Sequence, residues 1–273
     1  MIPQTFVVPL DGSPFAEKAV PVACAIAQRV GGRLLLVSAS YRGPIDPGWY
    51  LDEVAVRFAE VPIDTISNVE HLPADAIATI VEESDDRIIC MTSHGRGGVR
   101  WSMLGSIAEE VIRRADRPML LVGRRCREDF LTRGDHILAC VDRSESSDRV
   151  APVVLEWAER LELKMDAAVV IHPRDVENAD DAEMLLHPIV DHFGGPDRVT
   201  ATVLTNANVA GALADFADDL PAAMIAMNCY GRTGLARITL GSVTMAVLHL
   251  AACPLLVTHS SREPERDVTE ALQ

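Results

Sequence analysis

Two glycine-containing segments have the residue types and the spacing of an anion-binding site. Each has a glycine, nine further residues and then a Gly-Ser pair: Gly95 with Gly105-Ser106, and Gly231 with Gly241-Ser242. Glycine lets a backbone approach a ligand closely, and a helical pattern follows each Gly-Ser pair. The first turn of a helix presents unpaired N–H groups and the positive end of its dipole, which attract phosphate or carboxylate groups. Both segments are therefore candidate anion sites, to which Arg96 and Arg232 could add positive charge.

An aspartate follows the first apolar run in each half of the chain. Asp11 comes after "TFVVPL", and Asp142 comes after "HILACV". In an open parallel sheet, ligands bind outside the carboxyl ends of the strands. The glycine segments follow the fourth apolar run of each half. We therefore expect each aspartate and its glycine segment to meet at the same edge of a sheet.

A purely structural interpretation of these residues stands beside the binding hypothesis. Gly-Ser before a helix is ordinary capping chemistry, and Ser106 with Glu109 fits a capping box. Asp11-Gly12-Ser13 is also common turn chemistry. The duplication of the whole spacing, with a strand-end aspartate in both copies, favours binding.

The two segments belong to a long internal repeat. The glycines are offset by 231 − 95 = 136 residues, and the aspartates by 142 − 11 = 131 residues. A repeat of this period indicates two copies of one domain. In each copy short apolar runs alternate with helical patterns, as in the stretch from Ser13, a natural N-cap, to the helix stop at Gly31-Gly32.

Alternating strands and helices predict a parallel sheet with helices on both faces. We predict an α/β fold with two tandem, open, parallel five-stranded sheets flanked by helices. The predicted divisions are a first domain over 1–123, a linker over 124–135, a second domain over 136–259 and a flexible tail over 260–273. Pro9 is awkward in this scheme, because a proline inside a parallel strand costs a ladder hydrogen bond.

Composition narrows the class of function. The 273 residues carry a net charge of −15, which disfavours nucleic acid and anionic membranes as partners. No apolar run reaches the ~18 residues of a membrane span, and no signal-peptide pattern is visible. The six cysteines show no CxxC spacing. We expect a cytoplasmic protein with reduced thiols.

The repeated pattern of a strand-end aspartate, a glycine, nine residues and Gly-Ser resembles the universal stress protein family in its tandem two-domain form. The resemblance covers about residues 4–123 and 136–259. It implies an ATP-binding α/β domain of the adenine nucleotide α-hydrolase-like type. Nucleotide-binding members have a further glycine three residues before the first loop glycine. Thr92 and Asn228 occupy that position here.

The resemblance also implies roles for individual residues. The strand-end aspartates would contact the ribose, the loop glycines and serines would contact ribose and phosphates, and the backbone after the second strand would meet the adenine. The nucleotide-binding residues implied are Asp11, Ala39, Gly95, Gly105, Ser106, Asp142, Gly231, Gly241 and Ser242. In the second copy, the adenine position falls near Pro173. ATP is the implied ligand, and Mg²⁺ could accompany it.

Three hypotheses about function remain open on the sequence alone. The first is a nucleotide-binding stress-response regulator or sensor with at most slow ATPase activity, since no residue is placed as a general base. The second is a nucleotide-free structural or interaction module, which Thr92 and Asn228 favour. The third, an enzyme that activates a substrate with ATP, would need a catalytic constellation that the sequence does not show. No metal site or catalytic residue is predicted.

The last apolar run of each copy, Met119–Val122 and Leu255–Thr258, would leave an exposed sheet edge, which invites pairing. We predict that these two strands pair antiparallel, as the family resemblance suggests, and form an internal pseudo-dimer. A homodimer built through the tandem domains is a further expectation.

Overall fold

The computed structural model describes residues 4–38, 46–67, 73–94, 104–114, 117–142, 150–175, 179–228 and 240–258. Strands and helices alternate through both halves. The strands are β1 (Thr5–Leu10), β2 (Arg33–Ser38), β3 (Ile63–Ile66), β4 (Arg87–Thr92), β5 (Met119–Val122), β6 (His136–Val141), β7 (Lys164–Ile171), β8 (Val199–Thr205), β9 (Ala222–Asn228) and β10 (Leu255–Thr258). The helices are α1 (Ala19–Val30), α2 (Pro47–Val56), α3 (Pro73–Glu82), α4 (Ser106–Arg114), α5 (Phe130–Arg133), α6 (Val150–Leu161), α7 (Ala179–His192), α8 (Val209–Asp219) and α9 (Ser242–Leu250).

Helix α1 shows how local sequence sets the bounds of an element. Ser13 Oγ accepts a hydrogen bond from the Ala16 N–H at 3.1 Å, and a 3-10 turn over Ala16–Lys18 leads into the helix. Gly31 ends α1 at φ 69°, a left-handed conformation that glycine adopts without steric cost. The predicted stop at Gly31 is confirmed, although the 3-10 turn delays the start of α1 to Ala19.

The ten described strands form one sheet in the order β3-β2-β1-β4-β5-β10-β9-β6-β7-β8. Neighbouring strands within each half are parallel. The central strands are buried almost throughout, as expected for strands that helices cover on both faces. The predicted fold class is confirmed.

The only antiparallel contact among the described strands joins β5 to β10 at the centre of the sheet. Leu120 pairs with Leu256, and 256 − 120 = 136 is the repeat offset, so each leucine faces its own counterpart. Met119 pairs with Val257, and Leu121 with Leu255, in the same symmetric way. A local pseudo-two-fold axis therefore passes between Leu120 and Leu256, and the predicted antiparallel pairing is confirmed.

The chain that leaves β5 crosses directly onto the second half. A Cβ placed on Gly123 would lie 2.0 Å from the carbonyl oxygen of Leu248 on α9, so the two halves pack together at a distance that only glycine allows. The Arg127 N–H then donates to the Ala252 carbonyl at 2.9 Å. The predicted linker thus lies against the second half and contains the short helix α5. The domain boundaries themselves stay predictions.

Several elements differ in length from the sequence expectation. The apolar run from Ala167 to Ile171 predicts a strand there. Strand β7 begins three residues earlier, at Lys164, because Lys164 to Asp166 also pair with β6. Pro9 lies inside β1. The β1–β4 pairing ends at Val7 with Ile89, two residues before that proline, whereas the matching β6–β9 pairing runs on to Cys140 with Met227. The early end is consistent with the missing N–H of proline.

Two findings concern features expected from composition. In the parts of the chain that the structure describes, no helix has the length and apolar character to span a bilayer. The five described cysteines, Cys24, Cys90, Cys126, Cys140 and Cys253, are free thiols. Burial raises the pKa of the Cys126 thiol to about 12, and it also raises the pKa of Cys90, Cys140 and Cys253. Such thiols are poor nucleophiles at neutral pH.

The symmetric leucine pair predicts a specific energetic coupling. Leu120 and Leu256 are both fully buried, so each Leu→Ala change should lower the free energy of unfolding by about 2–5 kcal/mol. The double variant should lose less than the sum, by about 0.5–3 kcal/mol, because the two side chains share one contact. Denaturant unfolding of both singles and the double measures this coupling. The control combines Leu120→Ala with Leu34→Ala. Leu34 lies on β2, which β1 and β4 separate from β5, so the losses in unfolding free energy should add.

Candidate functional site at the carboxyl edge of each half

Strand order places a crevice beside β1 and beside β6. In the first half, the chain passes from β1 to β2 and β3 on one side of β1. It then crosses back to form β4 on the other side of β1. Strand β6 has the same position between β7 and β9. The carboxyl ends of β1 and β6 are therefore the topological switch points of the two sheets, where open α/β sheets bind ligands. Asp11 and Asp142 directly follow these strands.

Strand register brings the predicted site residues to one level. The β1–β4 pairing aligns Thr5 with Arg87, an offset of 82, so Thr92 at the end of β4 is level with Leu10. The β6–β9 pairing aligns Cys140 with Met227, which puts Asn228 level with Val141. The strand that precedes each glycine segment thus ends one residue below the level of the aspartate in the same half.

Asp11 is held in a defined turn. Its Oδ1 accepts a hydrogen bond from the Ser13 N–H at 2.9 Å, and Gly12 between them has φ 80°, which favours glycine. Asp11 remains partly exposed, whereas Asp142 is exposed. The turn fixes the orientation of the Asp11 carboxylate.

The two Gly-Ser pairs occupy equivalent positions at the start of α4 and α9. Gly241 is the N-cap of α9, and the Met245 N–H donates to its carbonyl at 2.9 Å. In the first half, the Glu109 N–H donates to the Gly105 carbonyl at 2.8 Å, so Gly105 has the same role. Each serine is therefore the first helical residue and is exposed. The capping box with Ser106 as N-cap is wrong, since Ser106 lies one residue inside the helix.

The helix starts offer donors at the edge of the sheet. Helical geometry leaves the N–H groups of the first turn of α4 and α9 without an intrahelical acceptor. The Gly105 N–H is already used, because it donates to the Ser93 carbonyl at 2.9 Å. Gly241 has φ −57° and ψ 151°, a conformation open to any residue, so backbone geometry alone does not require glycine there.

The two residues that replace a family glycine end their strands with buried polar groups. Thr92 is 4 % exposed, and its Oγ1 donates to the His94 carbonyl at 2.7 Å. Asn228 ends β9 in the matching position and is partly buried. The Thr92 hydrogen bond ties the start of the first glycine segment to the strand that precedes it.

Several expectations fall on residues outside the described ranges or are moved by the register. Ala39, Gly95 and Gly231 lie outside the described residues. The β6–β7 pairing aligns Val141 with Val169, so Val170 is level with Asp142. Pro173 lies three residues further on, in an exposed 3-10 turn, and the adenine position near it stays a prediction.

A histidine that the sequence did not single out reaches the first site from the second half. His249, in the last turn of α9, packs against His94, with ring centroids 5.8 Å apart. His94 also contacts Ser93, with 3.0 Å between Nδ1 and Oγ. Burial lowers the pKa of His249, and its electrostatic interactions with His94 and Arg124 lower that pKa further. Only the antiparallel β5–β10 seam makes this contact, so sequence spacing gave no signal for it.

Within the described residues, no group of three or more His, Cys, Asp or Glu side chains is arranged to hold a metal ion.

The fold and its edge site define a class of open α/β proteins whose ligand site lies at a topological switch point. The model of the universal stress protein family matches residues 50–123 and 134–259, and the chain belongs to that family. The resemblance drawn from the repeated motif is thus confirmed, and the two matched stretches agree with a tandem arrangement.

Similar proteins come from bacteria and archaea. A universal stress protein of Mycobacterium tuberculosis, Rv2005c, is 26% identical over 205 residues, which are 68% of this chain and 66% of that protein. The chain thus spans just under two thirds of that relative. The structure of a universal stress protein from Archaeoglobus fulgidus has a TM-score of 0.65 at 18% identity and covers 94% of this chain and 98% of its own. That likeness shows a shared fold.

Adenine nucleotides occur in at least one solved member of the family. Another structure from Archaeoglobus fulgidus, different from the one above, shows a universal stress protein in complex with dAMP. It is 21% identical and covers 44% of this chain and 94% of its own, with a TM-score of 0.36. The complex describes what that protein binds and gives no geometry for this chain.

The half-buried His249 predicts a loss of stability in acid. Because its pKa is lowered in the folded state, the unfolded chain takes up a proton more readily below the ordinary histidine pKa of about 6.5. Stability should therefore fall between pH 7 and pH 5, and His249→Phe should remove part of that fall, by at most about 1.4 kcal/mol per pH unit. Urea unfolding at pH 7.5 and 5.5 measures it. His187→Phe, at an exposed position, should leave the pH dependence unchanged.

Proposed function

We propose that the chain binds an adenine nucleotide at the carboxyl edge of each half and serves as a nucleotide-dependent regulator or sensor. One observation carries this proposal. The same set of groups, a strand-end aspartate and a Gly-Ser pair that starts a helix, is built twice at equivalent switch points of one sheet. A purely structural role would not require aspartate and glycine to keep their positions in both copies.

The proposed contacts follow from the chemistry of each group. First-turn N–H groups and the helix dipole of α4 and α9 attract the phosphates, with the exposed hydroxyls of Ser106 and Ser242 beside them. The carboxylates of Asp11 and Asp142 accept hydrogen bonds from ribose hydroxyls. The family resemblance adds Ala39, Gly95 and Gly231, and it puts the adenine beside the chain that follows the second strand.

ATP is the proposed nucleotide, and its phosphate oxygens would bring any Mg²⁺ with them. Hydrolysis should be slow at most. The Asp11 carboxylate at the first site already accepts a hydrogen bond from the Ser13 N–H, which holds its Oδ1 in the turn rather than beside an attacking water. A sensor or regulator needs binding and release rather than rapid turnover.

A nucleotide-free interaction module is the second candidate, and a specific observation favours it. Thr92 replaces a family glycine, is buried, and closes the start of its loop with its own hydrogen bond to the His94 carbonyl. The Gly105 N–H is likewise used by Ser93. Under this alternative, the Gly-Ser pairs only begin their helices.

Mass spectrometry of small molecules released on denaturing the purified protein separates the two candidates. Bound adenine nucleotide supports the proposal. If none is released, calorimetric titration with ATP decides, because an apo protein competent to bind would still take it up. No heat with ATP, ADP or AMP at millimolar concentration would leave the interaction module as the better description.

Substitution of Gly241 tests the second site. Gly241→Val should lower ATP affinity at that site by tenfold or more, about 1.4 kcal/mol, because the side chain would occupy the space of the phosphates. The backbone conformation at Gly241 is accessible to valine, so the fold should persist. Calorimetry should show the stoichiometry falling from two ATP to one.

Two controls accompany this experiment. Gly241→Ala is the smaller step at the same position and should weaken binding less than valine. Thermal unfolding of each variant shows whether the fold is intact. Equal affinity at both sites in a folded Gly241→Val protein would contradict the assignment of the N-cap glycine to phosphate binding.

A further inference from the structure

A group of basic side chains gathers around Phe15 where the two halves meet. We call Phe15, Lys18, His94, Arg124 and His249 the seam cluster. Four of its members come from the first half and its linker, and His249 comes from α9 of the second half. The cluster lies at the carboxyl edge of the first sheet, immediately beside the first glycine segment, which starts after His94.

Each member of the seam cluster contacts another. The Lys18 Nζ lies 5.9 Å from the centre of the Phe15 ring, and the Arg124 guanidinium carbon lies 5.5 Å from it. The His94 ring centroid is 6.3 Å from that of Phe15 and 5.8 Å from that of His249. Lys18 Nζ also donates to the Arg124 carbonyl at 3.3 Å. Two permanent cations and two imidazoles thus share one small region.

The electrostatics of the cluster oppose those of the whole chain. The net charge of the chain is −15, yet four basic side chains lie together here. Three of them contact the Phe15 ring, and the two histidines contact each other. The Nε2 atom of His249 is buried and has no hydrogen-bond partner among the described residues. A buried polar atom without a partner costs free energy, which an acceptor arriving with a ligand would recover.

The antiparallel seam explains why α9 reaches this edge. Strand β10 runs against β5, and Leu255 at its start pairs with Leu121 near the end of β5. The end of α9, which precedes β10, therefore lies at the edge where β4 and β5 end. The charged groups that act on His249 are His94, after β4, and Arg124, after β5. Helix α8 packs along α9, and its Asp218 acts on the thiol of Cys253.

We propose that the seam cluster binds the phosphate groups of the ligand held by the first half, so that the second half completes the first site and His249 takes up a proton when the ligand binds. This inference rests on the proposed nucleotide binding. It adds that the pH regulates binding at the first site through His249. An oxyanion among Lys18, Arg124 and the two imidazoles offsets their mutual repulsion and accepts a hydrogen bond from a protonated His249.

Proton uptake gives the binding a defined pH dependence. In the free protein, burial and the neighbouring positive charges lower the pKa of His249, so it is neutral near pH 7. A bound polyphosphate raises that pKa, because it adds negative charge beside the ring. Binding then takes up protons, and affinity rises as the pH falls through the range between the two pKa values.

The sequence of the second half does not repeat the two histidines of the seam cluster. The repeat offset of 136 makes Arg113 the counterpart of His249, since 249 − 136 = 113, and Tyr230 the counterpart of His94. Arg113 is paired with Glu110 on its own helix and does not titrate near neutral pH. Proton-linked binding is therefore a property of the first site alone.

The experiment measures affinity by calorimetry at pH 6.5 and 8.0, in the Gly241→Val background, with two probes: ATP and inorganic tripolyphosphate. We expect both probes to bind about three- to tenfold more tightly at pH 6.5, as a shift of up to one unit in one pKa allows. His249→Phe should abolish this ratio. The phosphate protonates near pH 6 and works in the opposite direction, equally in all variants. His187→Phe is the matched control and should retain the ratio.

Lys18→Met is a second variant at an exposed position, and it should weaken tripolyphosphate binding about threefold at both pH values. If the pH ratio for ATP is the same in His249→Phe as in the parent protein, the proposed role of the seam cluster is wrong. The proposed nucleotide binding would still stand. A third outcome is that tripolyphosphate binds with a pH ratio that depends on His249, while ATP binds no more tightly than tripolyphosphate. That result supports phosphate binding by the seam cluster and contradicts the proposed adenine site. If neither probe binds, both proposals fail.

Discussion

The antiparallel pairing of β5 with β10 is the interaction on which the rest of the molecule depends. It converts two five-stranded sheets into one, buries the apolar strands that would otherwise be exposed edges, and places Leu120 against its own counterpart, Leu256. Gly123 and the bond from Arg127 to Ala252 extend the contact beyond the strands. Everything that crosses between the halves, including the contact of His249 with His94, follows from this register.

The parallel strands within each half set the geometry of the candidate sites. Parallel strands end at a common edge, so the ends of β1 and β4 lie side by side although about 80 residues separate them in sequence. The fold contributes a helix start there, with its unpaired N–H groups, and the turn at Gly12 orients Asp11. The described part of the edge thus brings together a carboxylate that accepts hydrogen bonds and helix N–H groups that donate them.

Most of the fold could be predicted from the sequence, because periodicity and the repeat depend on local order along the chain. The apolar periodicity predicts helices over Val150–Leu161 and Ser242–Leu250, and α6 and α9 have these bounds residue for residue. Prediction failed where pairing with other strands or the details of helix capping set the bounds of an element. Pairing with its neighbours lengthens β7, and Gly105 rather than Ser106 is the N-cap of α4. The role of His249 could not be predicted, because it depends on how two distant segments pack across the seam.

The placement of Arg113 and His249 at matching positions of the two copies has an evolutionary consequence. In a dimer of identical subunits, every substitution appears on both sides of the two-fold axis, so the two sites must change together. Joining the copies in one polypeptide removes that constraint, and one copy can acquire a titrating side chain while the other keeps a permanently charged one. Covalent fusion thus gives the molecule a symmetric scaffold whose two ends are free to specialise.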